Sequence, residues 1–137
     1  MPDINASSPP ASNVSPRLPS LVQCTVDAAR DKKARDLVVL DLRDSEAFTD
    51  YFVVCSGRTG RQVRAIVNEI QKQLRAAGGR SSHVEGDRHA EWVLLDCFDF
   101  VVHVFTQEMR RFYDLERLWG KATRIEFRDP PPRPPAV

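Results

Sequence analysis

The sequence predicts an α/β fold: a single domain in which a mixed five-stranded sheet packs with about three helices. Two short runs of apolar and β-branched residues, 36–43 and 49–57, are typical of strands. The stretch 56–79 repeats apolar residues every three or four positions and ends in a glycine pair, which indicates an amphipathic helix. A chain of 137 residues suffices for one hydrophobic core and leaves little for a second.

The first half of the predicted domain is an α-β-β-α unit. Ser20 can cap a first helix that runs to about Lys33. The strand 36–43 is apolar enough to be buried on both faces of the sheet, and a short loop connects it to the strand 49–57. The long helix that follows is expected to bury one stripe of side chains. Its members are Val63, Ile66, Val67, Ile70, Leu74 and Ala77.

The second half is expected to be a β-β-β-α unit. Residues 80–86 are a weaker strand, 90–107 form a hairpin, and the stretch RRFYDLERLW (110–119) predicts a closing helix. One side of this helix should pack on the sheet through an apolar stripe. The stripe consists of Phe112, Leu115, Leu118 and Trp119. Tyr113 and Glu116 lie off the stripe, so the helix is predicted to be divided and to present these two residues to a partner.

The predicted hairpin has two chemically different faces, whichever turn it uses. A two-residue turn at 97–98 places Trp92 opposite His103, whereas a turn at 98–99 places Trp92 opposite Phe105. In both registers one face is aliphatic and is the better core. That face consists of Val93, Leu95, Cys97, Val102 and Val104. The other face is the better candidate for a partner surface, because interfaces favour aromatic anchors among polar groups. It carries Trp92, Leu94, Asp96, Val101, His103 and Phe105.

The composition is typical of a soluble globular protein, with 42% hydrophobic and 28% charged residues and a formal net charge of +1. Proteins that grip RNA or DNA through phosphates usually carry a strong basic excess, so little direct nucleic-acid contact is expected. No apolar run approaches the roughly 20 residues of a membrane span, and no signal peptide is recognisable. The three cysteines are isolated and odd in number, which favours reduced, buried thiols in a cytoplasmic protein without membrane association.

Both ends of the chain are rich in proline. Residues 1–19 hold five of the ten prolines, and the remaining five lie in 128–137. Such segments cannot continue a helix or a central strand and are expected to be disordered tails. The folded domain is therefore predicted to span residues 20–127.

Three motifs raise the question of an active site. SGRTGR (56–61) lies between a strand and a helix, where amides attract phosphate, but it lacks the Lys-Ser/Thr of a P-loop and the third glycine of a dinucleotide fingerprint. Asp96 and Asp99 could hold magnesium for nucleotidyl transfer, yet their spacing is more typical of turn-forming aspartates. Cys55 could pair with a histidine as a nucleophile, but no local signature accompanies it. We expect no catalytic residue, metal site or cofactor; a metal-dependent nucleotidyltransferase or nucleotide-binding enzyme is the alternative.

Four stretches occur in this order and spacing: TDYFVVCSGRTGRQVRAI, HVEGDRHAEWVLLD, VVHVF and FYDLERLW. Together they resemble the ribosomal silencing factor family, also called Iojap-like, over about residues 20–120. The resemblance implies a nucleotidyltransferase-like fold without the catalytic carboxylates. It also implies a translational repressor that binds the large ribosomal subunit through its protein fourteen (bacterial nomenclature) and blocks joining of the small subunit when nutrients are short. Organellar relatives act in assembly of the large subunit.

The family's motif positions fall on a defined set of residues in this chain. They are Asp50, Tyr51, Gly57, Arg61, Glu85, Gly86, Trp92, Asp96, His103, Tyr113, Leu115, Glu116 and Trp119. Gly57, Gly86 and Leu115 are expected to be structural. Faces and residue types favour a partner-binding set of six. These are Trp92, Leu94, Asp96, His103, Tyr113 and Glu116. The acidic Asp96 and Glu116 would steer the protein toward a basic surface.

Two features depart from the family pattern. Many relatives have glycine in the hairpin turn where this chain has Phe98, so a longer or differently shaped turn is expected. The Pro-rich tails also lie outside the pattern. Self-association into a homodimer is expected as well, since a sheet with an under-covered apolar face or an unpaired edge often dimerises.

Overall fold

The structure, a computed structural model, describes residues 18–45, 47–79, 83–86 and 88–130. The helices are α1 (Ser20–Asp31), α2 (Gly60–Ala76) and α3 (Gln107–Tyr113), and a 3₁₀ segment (Leu115–Trp119) follows α3. The strands are β1 (Arg35–Asp41), β2 (Tyr51–Gly57), β3 (His83–Gly86), β4 (Trp92–Asp96), β5 (Phe100–Thr106) and β6 (Thr123–Glu126).

The strands form one mixed sheet in the order β3-β4-β5-β2-β1-β6. The central β2 and β5 run parallel, and the other neighbours are antiparallel. The α/β class, the three helices and the mixed sheet are therefore confirmed, but the described residues form six strands rather than five. The additional strand, β6, pairs with β1 from Val38 to Asp41. Its sequence Thr-Arg-Ile-Glu offers a single aliphatic residue, too weak a pattern to predict a strand.

α1 begins at Ser20, but Ser20 is not its cap. Pro19 occupies the cap position with φ −53° and ψ 147°. The carbonyl oxygen of Pro19 accepts a hydrogen bond from the Gln23 N–H at 2.9 Å, which closes the first turn. The predicted capping role of the Ser20 hydroxyl is therefore wrong, because the proline before it already has the extended backbone that a cap requires.

The two faces of the sheet are covered unequally. α1 and α2 pack on one face, and the aliphatic hairpin face predicted as core lies beneath them. The hairpin contributes Val93, Leu95, Cys97, Val102 and Val104 to that core. α3 and the 3₁₀ segment cover the opposite face only in part, with Met109, Leu115 and Trp119 partly buried against it. We call this second side the aromatic face. It is defined by Phe52, Trp92, His103, Phe105 and Trp119.

Most of the two predicted tails lies outside the described residues, so their disorder stays a prediction. At the N-terminal side, Leu18 is buried in the main core. At the C-terminal side, the Asp129 carboxylate accepts a hydrogen bond from the Asp36 N–H at 2.7 Å. The packed part of the chain thus reaches slightly beyond the predicted bounds 20–127.

Candidate partner-binding surface

The predicted helix 110–119 is broken into two pieces. Asp114, between α3 and the 3₁₀ segment, has φ 48° and ψ 49°, the left-handed conformation that ends a right-handed helix. The predicted apolar stripe is split as a result. Leu115 and Trp119 contact the aromatic face as predicted, whereas Phe112 and Leu118 are 72% and 75% exposed. Placing these two in the core was wrong, because the 3.6-residue period is lost at Asp114.

Glu116 is held inside the protein rather than presented. Its carboxylate accepts hydrogen bonds from the Arg110 guanidinium at 2.9 and 3.1 Å, and one from Arg124 at 3.1 Å. The side chains of Arg110 and Glu116 are only 11% and 16% exposed. Burial opposes ionisation of Glu116, but the hydrogen bonds and charges of the two arginines hold its pKa below its usual value. The prediction that the helix presents Glu116 is wrong.

His103 also lies beneath the surface, 4% exposed. Its Nδ1 accepts a hydrogen bond from the indole Nε1–H of Trp92 at 3.1 Å, so the neutral ring carries its proton on Nε2. Burial lowers the pKa of His103 to about 4. Within the described residues, Nε2 has no hydrogen-bond partner. His103 therefore orients Trp92 and does not itself reach a partner.

Trp92 and Tyr113 form two walls of a cavity on the aromatic face. Their ring centroids are 4.7 Å apart, and Trp92 also stacks on Phe105 with a centroid distance of 4.9 Å. Tyr113 is 49% exposed, so part of the cavity wall faces solvent. The cavity has a volume of about 330 Å³. It is lined by Glu85, Gly86, Glu91, Trp92, Leu94, Met109 and Tyr113. Three of the six predicted residues thus meet in one place, with two carboxylates beside them.

The floor of this cavity depends on a glycine. A Cβ added at Gly86 would lie 3.0 Å from the carbonyl oxygen of Trp92 and 3.0 Å from atoms of Val93. A larger residue would therefore push β3 away from β4. The close approach of the two strands at Gly86 agrees with its predicted structural role. Met109 and Glu91, which also line the cavity, were missed by the sequence reasoning. Met109 is one residue before the stretch that carried the helical pattern, and Glu91 precedes the hairpin strand.

Asp96, another of the predicted residues, lies at the hairpin end and helps to form the turn. Its carboxylate accepts a hydrogen bond from the Phe98 N–H at 3.1 Å. Trp92 pairs with Phe105, which identifies the register with a turn at 98–99. The turn is not lengthened; instead Phe98 adopts φ 72°, and the Asp99 N–H bonds the Cys97 carbonyl as in a γ-turn. A phenylalanine here adopts the conformation that a glycine would adopt at lower cost.

The three motifs considered for an active site have structural roles in this fold. At 56–61, Thr59 caps α2 by accepting the Gln62 N–H at 3.1 Å. A Cβ at Gly60 would lie 2.5 Å from the His89 carbonyl, so the chain around residue 89 covers this helix entry. The Cys55 thiol is fully buried, which raises its pKa to about 12 and leaves almost no nucleophilic thiolate. No group of three side chains suited to a metal ion occurs in the described ranges.

The structure is thus an α/β domain whose partly covered sheet face carries a cavity lined by aromatic, aliphatic and acidic side chains. None of the helices in the part of the chain that the structure describes is long and apolar enough to cross a membrane. Comparison with known proteins defines the family more closely. The family model described as "Ribosomal silencing factor during starvation" matches residues 15–136. The chain belongs to the ribosomal silencing factor family.

Individual relatives agree with this assignment. The ribosomal silencing factor RsfS of Halalkalibacterium halodurans is 41% identical over 107 residues, which cover 78% of this chain and 92% of the relative. RsfS of Bacillus subtilis is 41% identical over 103 residues, 75% of this chain and 87% of the relative. A crystal structure of a Chromobacterium violaceum protein matches with a TM-score of 0.71 and 36% identity, over 74% of this chain and 84% of that one. Membership is consistent with a ribosome-associated role in regulating translation.

Proposed function

We propose that this protein binds the large ribosomal subunit and sterically prevents the small subunit from joining, which lowers translation under nutrient limitation. The contact would be made with protein fourteen of the large subunit, at the face that meets the small subunit. Membership of the ribosomal silencing factor family supports the ribosome as the site of action. The protein would act in the cytoplasm, need no cofactor, and form a homodimer when it is not bound to the ribosome.

The observation that carries the proposal is the cavity between Trp92 and Tyr113. It combines two aromatic walls with Leu94, which suits a desolvated binding centre. Trp92 is held in place from behind by the hydrogen bond to His103 and the stacking on Phe105. A preorganised anchor of this kind loses little conformational entropy on binding, so more of the contact energy becomes affinity.

The charge around the cavity favours a basic partner. Glu85 and Glu91 line it directly, and Asp96 extends the same strand face toward the hairpin turn. Glu116 does not line the cavity, and its carboxylate is bound by Arg110 and Arg124. A basic ribosomal protein would be attracted by these carboxylates, and the overall charge of +1 gives no comparable attraction to rRNA phosphates.

The mechanism requires only binding energy and bulk. A 15.5 kDa domain seated on the intersubunit face would occupy volume that the small subunit needs. The same contact could serve assembly of the large subunit, because a factor bound there would also keep an immature subunit from joining prematurely. In either setting the residues that matter are those of the cavity, and no chemical step is involved.

Sucrose-gradient sedimentation with purified subunits tests the proposal. The protein should comigrate with the large subunit and reduce formation of intact ribosomes when the small subunit is added. Tyr113→Ala should lose both effects. Phe48→Ala is the control, because Phe48 is also an exposed aromatic residue but does not line the cavity. Comigration with the small subunit, or undiminished formation of intact ribosomes, would contradict the proposal.

A further inference from the structure

The formal net charge of +1 is the sum of an uneven distribution of charge over the domain. Four exposed basic side chains follow one another along the solvent side of α2. We call these four, together with the exposed asparagine between them, the α2 ridge. It consists of Arg61, Arg64, Asn68, Lys72 and Arg75. At 100° per residue the five positions fall within about 80° of the helix circumference, and they extend over about 21 Å of its length.

The ridge is exposed because α2 packs on the sheet with its other side. The buried stripe of the helix consists of Val63, Ile66, Val67, Ile70 and Leu74. This stripe belongs to the main core, which lies on the face of the sheet opposite to the aromatic face. The ridge therefore points away from the Trp92–Tyr113 cavity, and one partner in the cavity leaves room for a second partner on the ridge.

The charges of the ridge are not neutralised within the domain. None of its four cations forms an ion pair with another residue of the described ranges. α2 contains one acidic residue, Glu69, which lies off the ridge, and its carboxylate accepts a hydrogen bond from the Gln73 amide at 2.7 Å. The Arg64 guanidinium donates to the backbone carbonyl of Arg88, so a further exposed basic residue lies next to the ridge.

A row of cations without apolar neighbours suits a phosphate backbone better than an acidic protein. Protein interfaces are centred on aromatic or large apolar anchors, and none of the exposed large hydrophobic side chains in the described part of the chain lies in α2. Phosphate oxygens, by contrast, are bound by arginine, lysine and asparagine, the residue types of the ridge. Three of its four cations are arginines, which can donate two parallel hydrogen bonds to one phosphate.

We propose that the α2 ridge binds the phosphate backbone of double-stranded RNA without reading its sequence. Membership of a ribosomal silencing factor family makes RNA the polyanion that the chain meets, and proteins recognise RNA duplexes chiefly through shape and phosphate contacts. The net charge predicts little contact with nucleic acid, but the ridge concentrates positive charge locally, enough for a weak, salt-sensitive contact. The inference does not depend on which protein occupies the cavity.

Fluorescence anisotropy of a labelled RNA duplex of about 20 base pairs tests the proposal, at salt concentrations from about 25 to 200 mM. The isolated protein should bind with a dissociation constant in the micromolar range at low salt. Four phosphate contacts release about four counterions, so the logarithm of the binding constant should fall against the logarithm of the salt concentration with a slope of about −3 to −4. A protein that does not bind the duplex, or binds it independently of salt, overturns the proposal.

A pair of double variants locates the contact. Arg61→Gln combined with Lys72→Gln removes half of the ridge charge, so binding should weaken by about tenfold or more and the salt slope should become shallower by about 2. Arg117→Gln combined with Lys121→Gln is the matched control, because it removes the same two charges from exposed residues outside the ridge. The control should bind nearly as tightly as the parent, and both variants should keep its urea midpoint. Equal weakening in the two variants would mean that binding follows net charge alone, which overturns the proposal.

Two further measurements separate RNA from other partners and the ridge from the cavity. Polyglutamate should bind about tenfold more weakly than the duplex, and the reverse order would indicate an acidic protein as the partner and overturn the proposal. Tyr113→Ala should bind the duplex like the parent even where it no longer comigrates with the large subunit, so failure of the ridge and failure of the proposed function are distinguishable. Loss of duplex binding in Tyr113→Ala would assign the RNA to the cavity and contradict a site on α2.

Discussion

Arg110 and Glu116 are joined by two parallel hydrogen bonds, 2.9 and 3.1 Å long, across the left-handed residue that separates α3 from the 3₁₀ segment. The same guanidinium donates to the hydroxyl of Ser56 at 3.0 Å and to the carbonyl of Asp36. One side chain thus connects α3, the 3₁₀ segment and the first two strands of the chain. Its position explains why the break at Asp114 has a fixed geometry.

Replacing Arg110 should therefore loosen the whole segment that covers the aromatic face. Arg110→Ala leaves the Glu116 carboxylate half-buried with Arg124 as its remaining partner, and should cost about 3 kcal/mol of unfolding free energy. Arg110→Lys keeps the charge but cannot form the paired bonds, so its cost should be intermediate. Urea titrations followed by circular dichroism measure both values.

The neighbouring Arg111 provides the control for this prediction. It lies in the same helix, but its side chain is exposed and makes no ion pair with another described residue. Arg111→Ala should change the unfolding free energy by less than about 0.5 kcal/mol. Equal costs for the two alanine variants would mean that the Arg110 bridge contributes nothing beyond helix propensity.

His103 should make stability depend on pH. Its folded-state pKa is lowered from 6.5 to about 4. Between these two pH values the histidine is protonated in the unfolded chain and neutral in the folded one. The contribution of His103 to the free energy of unfolding is fully present above pH 6.5 and is lost as the pH falls toward 4. A shift of this size corresponds to about 3 kcal/mol. Urea titrations at stepwise lower pH should reveal the decline.

Two variants separate His103 from other titrating groups. His103→Phe should remove the slope, although it starts from a lower stability because the Trp92 hydrogen bond is lost. His89→Gln should keep the slope, since His89 is exposed. Glu116 does not interfere in the upper part of the window: its pKa is lowered, so its contribution is present above 4.5 and lost only below that value. A slope that persists in His103→Phe would contradict the assignment.

The sequence predicted the sheet better than it predicted the chain that covers it. The two faces of the hairpin could be predicted because side chains alternate strictly along a strand, so Trp92 had to share a face with His103 and Phe105. The break at Asp114 was not readable, since aspartate is common both inside helices and in the left-handed conformation that ends them. The burial of Glu116 could not be predicted either, because one of its partners, Arg124, lies in β6. The sequence of that strand has almost no strand pattern.

The hairpin turn offers a site where a substitution should stabilise the protein. Phe98 adopts φ 72° and is 62% exposed, so its backbone is strained while its side chain gains little from burial. Phe98→Gly should relieve about 1 to 2 kcal/mol of strain and cost part of this through greater freedom of the unfolded chain. A net gain of about 0.5 to 1 kcal/mol is expected in thermal or urea unfolding.

Phe98→Ala is the control for this substitution. Alanine also removes the exposed ring but keeps a Cβ, so it should not gain the stability that glycine gains. If both variants were equally stabilised, the effect would come from removing an exposed aromatic side chain and not from the backbone conformation.

Tyr113 and Leu115 lie two residues apart on either side of the break at Asp114. Replacing them with alanine should affect different properties, binding for Tyr113 and stability for Leu115. Tyr113→Ala removes a wall of the cavity whose ring is half exposed, so it should weaken large-subunit binding by more than about 1 kcal/mol with little loss of stability. Leu115→Ala removes a side chain that is only partly buried against the aromatic face, so about 2 kcal/mol of stability should be lost.

Measuring both properties on both variants makes the distinction sharp. Binding is read as the concentration that half-saturates the large subunit in a pelleting assay, and stability as the urea midpoint. At temperatures where Leu115→Ala is still fully folded, its subunit affinity should be close to that of the parent, since Leu115 does not line the cavity. A Tyr113→Ala variant that binds normally would show that Tyr113 is not a binding residue, and one that unfolds as easily as Leu115→Ala would show that Tyr113 holds the fold together.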